Sequence, residues 1–151
     1  MIDVFTSDER TRHFPRMTEV ERLVVQRIEQ DIFHERLLDY WEGKCAVTGL
    51  AVPKFLRASH IKPWASCDTD EERLDVYNGL LLAPHIDAVF DKGFIKVADD
   101  GTVVVSARLD AEAQVALGLT QALHVHPLGA PHREYLAWHR LFFERRGGGG
   151  P

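Results

Sequence analysis

Residues 59–64 read SHIKPW, and residues 78–93, a short distance along the chain, read NGLLLAPHIDAVFDKG. The first segment completes an apolar run over residues 55–61, which predicts a strand. In the second segment, the apolar run over residues 79–83 is too short for a helix and is typical of a buried strand. Pro84 suits the first turn of a helix. The two segments therefore predict two strands followed directly by a helix.

Length and composition are those of an ordinary soluble globular protein. The chain has 151 residues, of which 45% are apolar and 27% are charged, and this predicts one domain with a substantial core. No apolar run approaches the ~20 residues that cross a membrane, and residues 1–8 lack the pattern of an export signal. Cys45 and Cys67 are the two cysteines. They provide no disulfide framework, so the cytoplasm is the expected location.

The charge balance does not favour tight binding to nucleic acid. The formal net charge is -5, whereas contacts to a phosphate backbone require lysine and arginine. The distribution is more favourable, because the charged residues between positions 53 and 64 are Lys54, Arg57 and Lys62, with no acid among them. Net acidity therefore lowers the expected affinity without excluding a nucleic-acid substrate.

Further elements are expected on both sides of the two segments. Residues 1–16 form an irregular arm, and Thr18 with Glu21 forms a capping box for a long amphipathic helix that Gly43 ends. The remaining expectations are a short strand at residues 45–47, a hairpin over residues 94–105 with an Asp-Gly turn, helices at residues 110–118 and 131–146, and a flexible tail at residues 147–151.

Several polar residues in this region are suited to phosphodiester hydrolysis. His60 follows an apolar strand and titrates near neutral pH, as a general base requires. Asp87 and Asp91 are four residues apart on the predicted helix, so both carboxylates project from one face and suit Mg²⁺ or Mn²⁺. Asn78 precedes the second strand, where its side chain can bridge backbone groups. The helix N-terminus near Pro84 favours a phosphate.

The order and spacing of these motifs resemble the HNH endonuclease family. The matching text is CAVTG at residues 45–49, RASHIKPW at residues 57–64 and NGLLLAPHIDAVFDKG at residues 78–93, and the resemblance is strong from residue 45 to about residue 97. FHERLL at residues 33–38 and HREYLAWHR at residues 132–140 resemble the flanks of restriction-type members. The resemblance implies an α+β fold with a ββα-metal (His-Me finger) core, flanking N- and C-terminal helices and a small β-hairpin. It also implies a single nuclease domain over residues 17–146.

The resemblance also assigns roles to individual residues. It makes His60 the general base, Asn78 the residue that orients the loop, Asp87 the third family position and a metal ligand, and Asp91 a further ligand. His85 is two residues from Asp87 and faces away from it on a helix, so a phosphate contact is its expected role. Arg57 and Lys62 are expected to contact phosphate as well.

Two departures from the family pattern matter. Ser59 precedes the base where many members carry a metal ligand. Thr48 stands where members with paired zinc-binding cysteines have the second cysteine, so a structural zinc is not expected.

The resemblance implies a metal-dependent endonuclease that hydrolyses DNA through a histidine-activated water and one divalent cation, Mg²⁺ or Mn²⁺. Two alternatives stay open. One is a catalytically weakened nucleic-acid-binding or assembly module, which Ser59 and the acidic net charge favour. The other is a nuclease subunit of a restriction or defence system that needs a partner. DNA is the expected partner, with a homodimer or a separate specificity subunit as the source of any selectivity and no role for a membrane.

Overall fold

The computed structural model describes residues 17–143, which form a mixed α+β structure of helices and small sheets. In chain order the elements are α1 (Glu19–Tyr40), β1 (Arg57–His60), α2 (Asp70–Leu74), β2 (Gly79–Leu82), α3 (Pro84–Asp91), β3 (Ile95–Val97), β4 (Val103–Val105), α4 (Ala111–Ala116) and α5 (His132–Phe143). Short 3-10 turns span Pro53–Phe55, Trp64–Ser66 and Val76–Asn78. The expected α+β class is confirmed. The predicted arm at residues 1–16 and tail at residues 147–151 lie outside the described residues.

Strands β1 and β2 form an antiparallel pair, and α3 begins almost directly after β2. The register places Ser59 opposite Leu80 and His60 opposite Gly79. Every residue of β2 is buried, as expected of a strand covered on both faces. The predicted order of strand, strand and helix is therefore confirmed. β1 is shorter than predicted, because residues 53–55 form a 3-10 turn that delays the start of the strand.

Helix α1 begins at the predicted capping box. The Thr18 hydroxyl accepts the Glu21 backbone N–H at 3.0 Å, and the Glu21 carboxylate accepts the Thr18 N–H at 2.8 Å. The C-terminal half of the helix buries Phe33 and Leu37 against β1 and β2. Gly43 has a φ of 68° just past the helix end, where an αL residue is common. These predictions are confirmed.

The prediction of a strand at residues 45–47 is wrong. The segment forms a turn, in which the Cys45 thiol sulfur accepts the backbone N–H groups of Val47 at 3.4 Å and Thr48 at 3.3 Å. The same sulfur accepts the N–H of Ala83 at 3.2 Å. A buried thiol thus takes backbone donors that a strand would direct to a neighbouring strand, and it ties this turn to the start of α3.

The C-terminal part of the described chain covers the other side of α3. Strands β3 and β4 pair with Ile95 opposite Val105, so the predicted hairpin is confirmed. The His139 ring of α5 stacks on Phe90 at 3.9 Å, and its Nε2 donates to the Phe90 carbonyl at 2.9 Å. Helix α5 is thereby fixed to α3. Over residues 17–143, no helix has the length and apolarity needed to cross a membrane.

Candidate functional site

His60 is the last residue of β1, and its imidazole is held by hydrogen bonding and by ring contacts. Nε2 lies 2.8 Å from the carbonyl oxygen of Arg73. A carbonyl oxygen only accepts, so Nε2 carries the proton of the neutral ring and Nδ1 keeps its lone pair. Nδ1 has no hydrogen-bond partner among residues 17–143. Trp64 meets the ring edge-on at 5.7 Å. The free acceptor of His60 is therefore Nδ1.

The Phe33 ring of α1 packs against one face of the His60 imidazole. The two rings are stacked, with centroids 3.8 Å apart and an interplanar angle of 9°. A Cβ at Gly79, the residue paired with His60, would come within 2.5 Å of Phe33 Cζ and 2.9 Å of a Leu37 methyl carbon. The absence of a side chain at Gly79 therefore leaves the space in which Phe33 supports His60.

Burial lowers the pKa of His60 below the ordinary histidine value of 6.5, while the hydrogen bond to the Arg73 carbonyl acts in the opposite direction. The lowered pKa keeps the ring neutral at pH 7. A neutral imidazole with an unpartnered Nδ1 is the form that accepts a proton from water.

Asn78 connects the loop that follows β1. Its side chain is fully buried, and its Oδ1 accepts the Lys62 N–H at 2.7 Å. Its Nδ2 donates to the carbonyl oxygens of Lys62 at 3.2 Å and Glu72 at 3.1 Å. One amide thus joins both ends of the loop that supplies the Arg73 carbonyl to His60.

An ion pair and two hydrogen bonds from Arg73 connect further parts of the same loop. Lys62 Nζ lies 3.2 Å from Glu72 Oε2, with side-chain exposures of 16% and 27%. Arg73 donates to the carbonyl oxygens of Trp64 at 3.3 Å and Cys67 at 3.0 Å. The ammonium group of Lys62 is thus paired within the loop, and its expected contact to phosphate stays a prediction.

Asp87 belongs to helix α3, and its side chain contacts β1 through Ser59. Its half-buried carboxylate accepts a hydrogen bond from the Ser59 hydroxyl. Burial raises the pKa of Asp87 and the nearby Asp91 carboxylate raises it further, whereas Ser59 and Arg57 act in the opposite direction. Asp91 and His85 are exposed on the same helix. Ser59, which departs from the family pattern, therefore contacts the expected metal ligand directly.

A cavity of about 610 Å³ opens beside β1 and includes Asp87 in its wall. Arg57 and Ala58 line it from β1, and His34 lines it from α1. His60 is not one of the lining residues. Within the described part of the chain, no group of three or more His, Cys, Asp or Glu side chains is arranged to hold a metal ion.

The structure brings the predicted residues together in two groups. Asp87, Ser59 and Arg57 interact on the α3 side of β1. His60 contacts Phe33 and the Arg73 carbonyl. Ser59 and His60 are neighbours in β1, so this strand connects the two groups.

Three features around His60 are absent from the sequence-based assignment: the Phe33 ring, the Arg73 carbonyl and the gap at Gly79. Phe33 belongs to the apolar periodicity of α1 and carries no signal that separates it from other core residues. A backbone carbonyl has no sequence signal. Gly79 reads as a turn residue after Asn78. None of the three could have been identified without knowing which elements meet.

The segment that contains His60, Asn78 and Asp87 is similar to a known protein family. Residues 45–97 match the family model described as HNH endonuclease. Comparison of the sequence with curated proteins finds no match. One similar solved structure is described as a modification-dependent TagI restriction endonuclease, with 20% sequence identity and a TM-score of 0.47. That similarity covers 70% of this chain and 35% of the other chain. The family-model match confirms the resemblance of residues 45–97 to the HNH endonuclease family.

Proposed function

We propose that this protein is a metal-dependent endonuclease that hydrolyses DNA phosphodiester bonds, with His60 as the general base. The observation that carries the proposal is the state of the His60 ring. Nε2 donates to the Arg73 carbonyl, the pKa is lowered, and Nδ1 has no partner within residues 17–143. In this role Nδ1 takes the proton of the attacking water, and the Phe33 stack holds the ring in place.

Asp87 and Asp91 fit a hard divalent cation such as Mg²⁺ or Mn²⁺. They are one helical turn apart, and the charge of Asp91 raises the pKa of Asp87, so a cation between them would relieve their repulsion. Two carboxylates suffice, because Mg²⁺ keeps several waters and takes further ligands from substrate phosphate. When bound, the cation supplies positive charge to the reacting phosphate. Strands β1 and β2 with α3 are the elements of the proposed ββα-metal core.

The other residues of the proposed site bind and position. Asn78 keeps the loop closed and thereby holds the Arg73 carbonyl against His60. Arg57 is exposed beside Asp87 and contributes a guanidinium group for a phosphate oxygen. His85, exposed in the first turn of α3, is a second phosphate contact.

Plasmid cleavage tests the function. The wild-type protein is expected to nick supercoiled DNA in Mg²⁺ or Mn²⁺ and to stop in the presence of a chelator. His60→Ala is expected to lower the rate by about 10²- to 10⁴-fold, and Asp87→Asn is expected to raise the metal concentration needed for half-maximal rate. His126→Ala, which changes an exposed histidine away from the site, is the matched control. Full metal-dependent cleavage by His60→Ala would rule out the mechanism.

One observation favours a second function, a nucleic-acid-binding module with weakened catalysis. His60 contacts Phe33 and the Arg73 carbonyl, Asp87 contacts Ser59, and the cavity beside Asp87 does not include His60. DNA binding without cleavage in any divalent metal would identify this function. Cleavage that appears only on addition of a second protein would instead identify a subunit of a restriction or defence system.

A further inference from the structure

The cavity beside β1 joins residues from four elements of the chain. Helix α1 contributes His34, the turn before β1 contributes Lys54 and Phe55, β1 contributes Arg57, and α3 contributes Asp87. His34, Lys54 and Phe55 have no role in the function proposed above. They place an imidazole, an ammonium group and an aromatic ring in the same cavity as Asp87, the candidate metal ligand.

His34 lines this cavity and has an unsatisfied polar atom. Its Nε2 is buried, yet it has no hydrogen-bond partner among residues 17–143. Buried polar atoms in folded proteins nearly always have a partner, so an unpartnered nitrogen on a residue that lines a cavity is suited to a ligand. An acceptor oxygen would satisfy Nε2 when that nitrogen carries the ring proton.

The exposed cations of the cavity favour an anion. Lys54 and Arg57 are exposed at its wall, whereas Arg27 is paired with Asp31 at 3.4 Å. Since that pair is neutral as a unit, Lys54 and Arg57 supply the positive charge that faces Asp87. Lysine and arginine beside an imidazole N–H are the donors that phosphate oxygens take.

Phe55 distinguishes a nucleotide polymer from a small inorganic anion. Its side chain is 57% exposed, and it lies in a 3-10 turn that begins with Pro53. An exposed aromatic ring next to a lysine is the combination with which proteins contact the bases and the backbone of a single-stranded nucleic acid. A small inorganic anion has no apolar or aromatic surface to pack against the Phe55 ring.

We propose that this cavity binds a backbone phosphate of the DNA substrate, with His34 and Lys54 as phosphate donors beside Arg57. Phe55 contacts the adjoining nucleoside. The inference rests on the proposed nuclease function and extends its substrate surface to α1, outside the segment that matches the family model. The surface is separate from the hydrogen-bonding network of His60.

Binding of a short fluorescein-labelled DNA, as a duplex and as a single strand, followed by fluorescence anisotropy in chelator over a range of salt concentrations, tests the inference without cleavage. His34→Ala and Lys54→Ala are each expected to weaken binding about 10-fold. Lys54→Ala should also reduce the slope of log affinity against log salt by about one. His34→Gln keeps an N–H donor and should retain most of the affinity. His126→Ala and Lys44→Ala, at exposed positions outside the cavity, are the matched controls.

The outcomes separate this inference from the function on which it rests. If His34→Ala and Lys54→Ala bind like their controls while the wild type cleaves DNA, the cavity proposal is wrong and the nuclease function stands. If both variants lose affinity but no metal supports cleavage, the cavity proposal stands and the nuclease function fails. Displacement of the DNA by inorganic phosphate or a mononucleotide of equal affinity would make the ligand a small phosphate compound and overturn the proposal. A wild type that binds neither the duplex nor the single strand would overturn it too.

Discussion

The ring of Phe33 lies flat against the imidazole of His60, with the ring centroids 3.8 Å apart. On the ring edge, Nε2 donates to the Arg73 carbonyl. Helix α1 and the loop between β1 and β2 therefore hold the same imidazole from two directions. This arrangement defines which nitrogen is free and where it points.

Phe33→Leu is expected to lower kcat for DNA cleavage about 10-fold with little change in KM, because a misplaced catalytic group slows the chemical step. The substitution should cost about 1.5 kcal/mol of stability, as a change of shape in a packed core does. Phe143→Leu makes the same change at another buried phenylalanine and should lose stability without the loss of kcat. Equal kcat values for the two variants would contradict a positioning role for Phe33.

The rate of cleavage should depend on pH through His60. The base acts in its neutral form, so kcat/KM should rise with pH and level off. Since burial lowers the pKa of His60, the inflection is expected below the ordinary histidine value of 6.5. Circular dichroism at each pH would separate titration from unfolding. An inflection above about pH 7 would exclude His60 in this state as the base.

Asn78→Ala should destabilise the protein by about 1–3 kcal/mol, because it leaves buried backbone groups of the loop without partners. The midpoint of urea unfolding measures this cost. Asn78→Asp is the closer comparison, since it preserves an acceptor for the Lys62 N–H and removes the donors to the Lys62 and Glu72 carbonyl oxygens. Both variants should also cleave more slowly. Wild-type cleavage by Asn78→Ala would show that the loop does not need this amide.

The free energy of unfolding should decrease on acidification, because protonation of His132 is unfavourable in the folded state. This residue is fully buried in α5, its Nδ1 accepts the Gly129 N–H at 2.9 Å, and burial lowers its pKa. The unfolded state then binds more protons, so stability is present above the ordinary value of 6.5 and is lost as pH falls below it toward the folded pKa. Urea unfolding at pH values from about 7 to about 5 measures the slope. His132→Gln should flatten it, and an unchanged slope would contradict this contribution.

Much of the local structure was predictable because it depends on neighbouring residues. The capping box at Thr18 and Glu21, the start of α3 at Pro84 and the turn between β3 and β4 each arise from contacts a few residues apart. The prediction of a strand at residues 45–47 is wrong because this segment depends on a contact with a distant part of the chain. Its backbone donors are taken by the Cys45 sulfur, which also binds the N–H of Ala83, a distant residue in the sequence.

The motif order and spacing were enough to identify the HNH-type segment at residues 45–97, since they are properties of the chain itself. The stacking of Phe33 on His60, the cavity that joins His34 to Asp87 and the pairing of Lys62 with Glu72 were decided by tertiary packing. Each depends on which side chains α1, the loop and α3 bring together in space. Periodicity tells which face of a helix is apolar, but the partner on that face is set by the packing of the whole core.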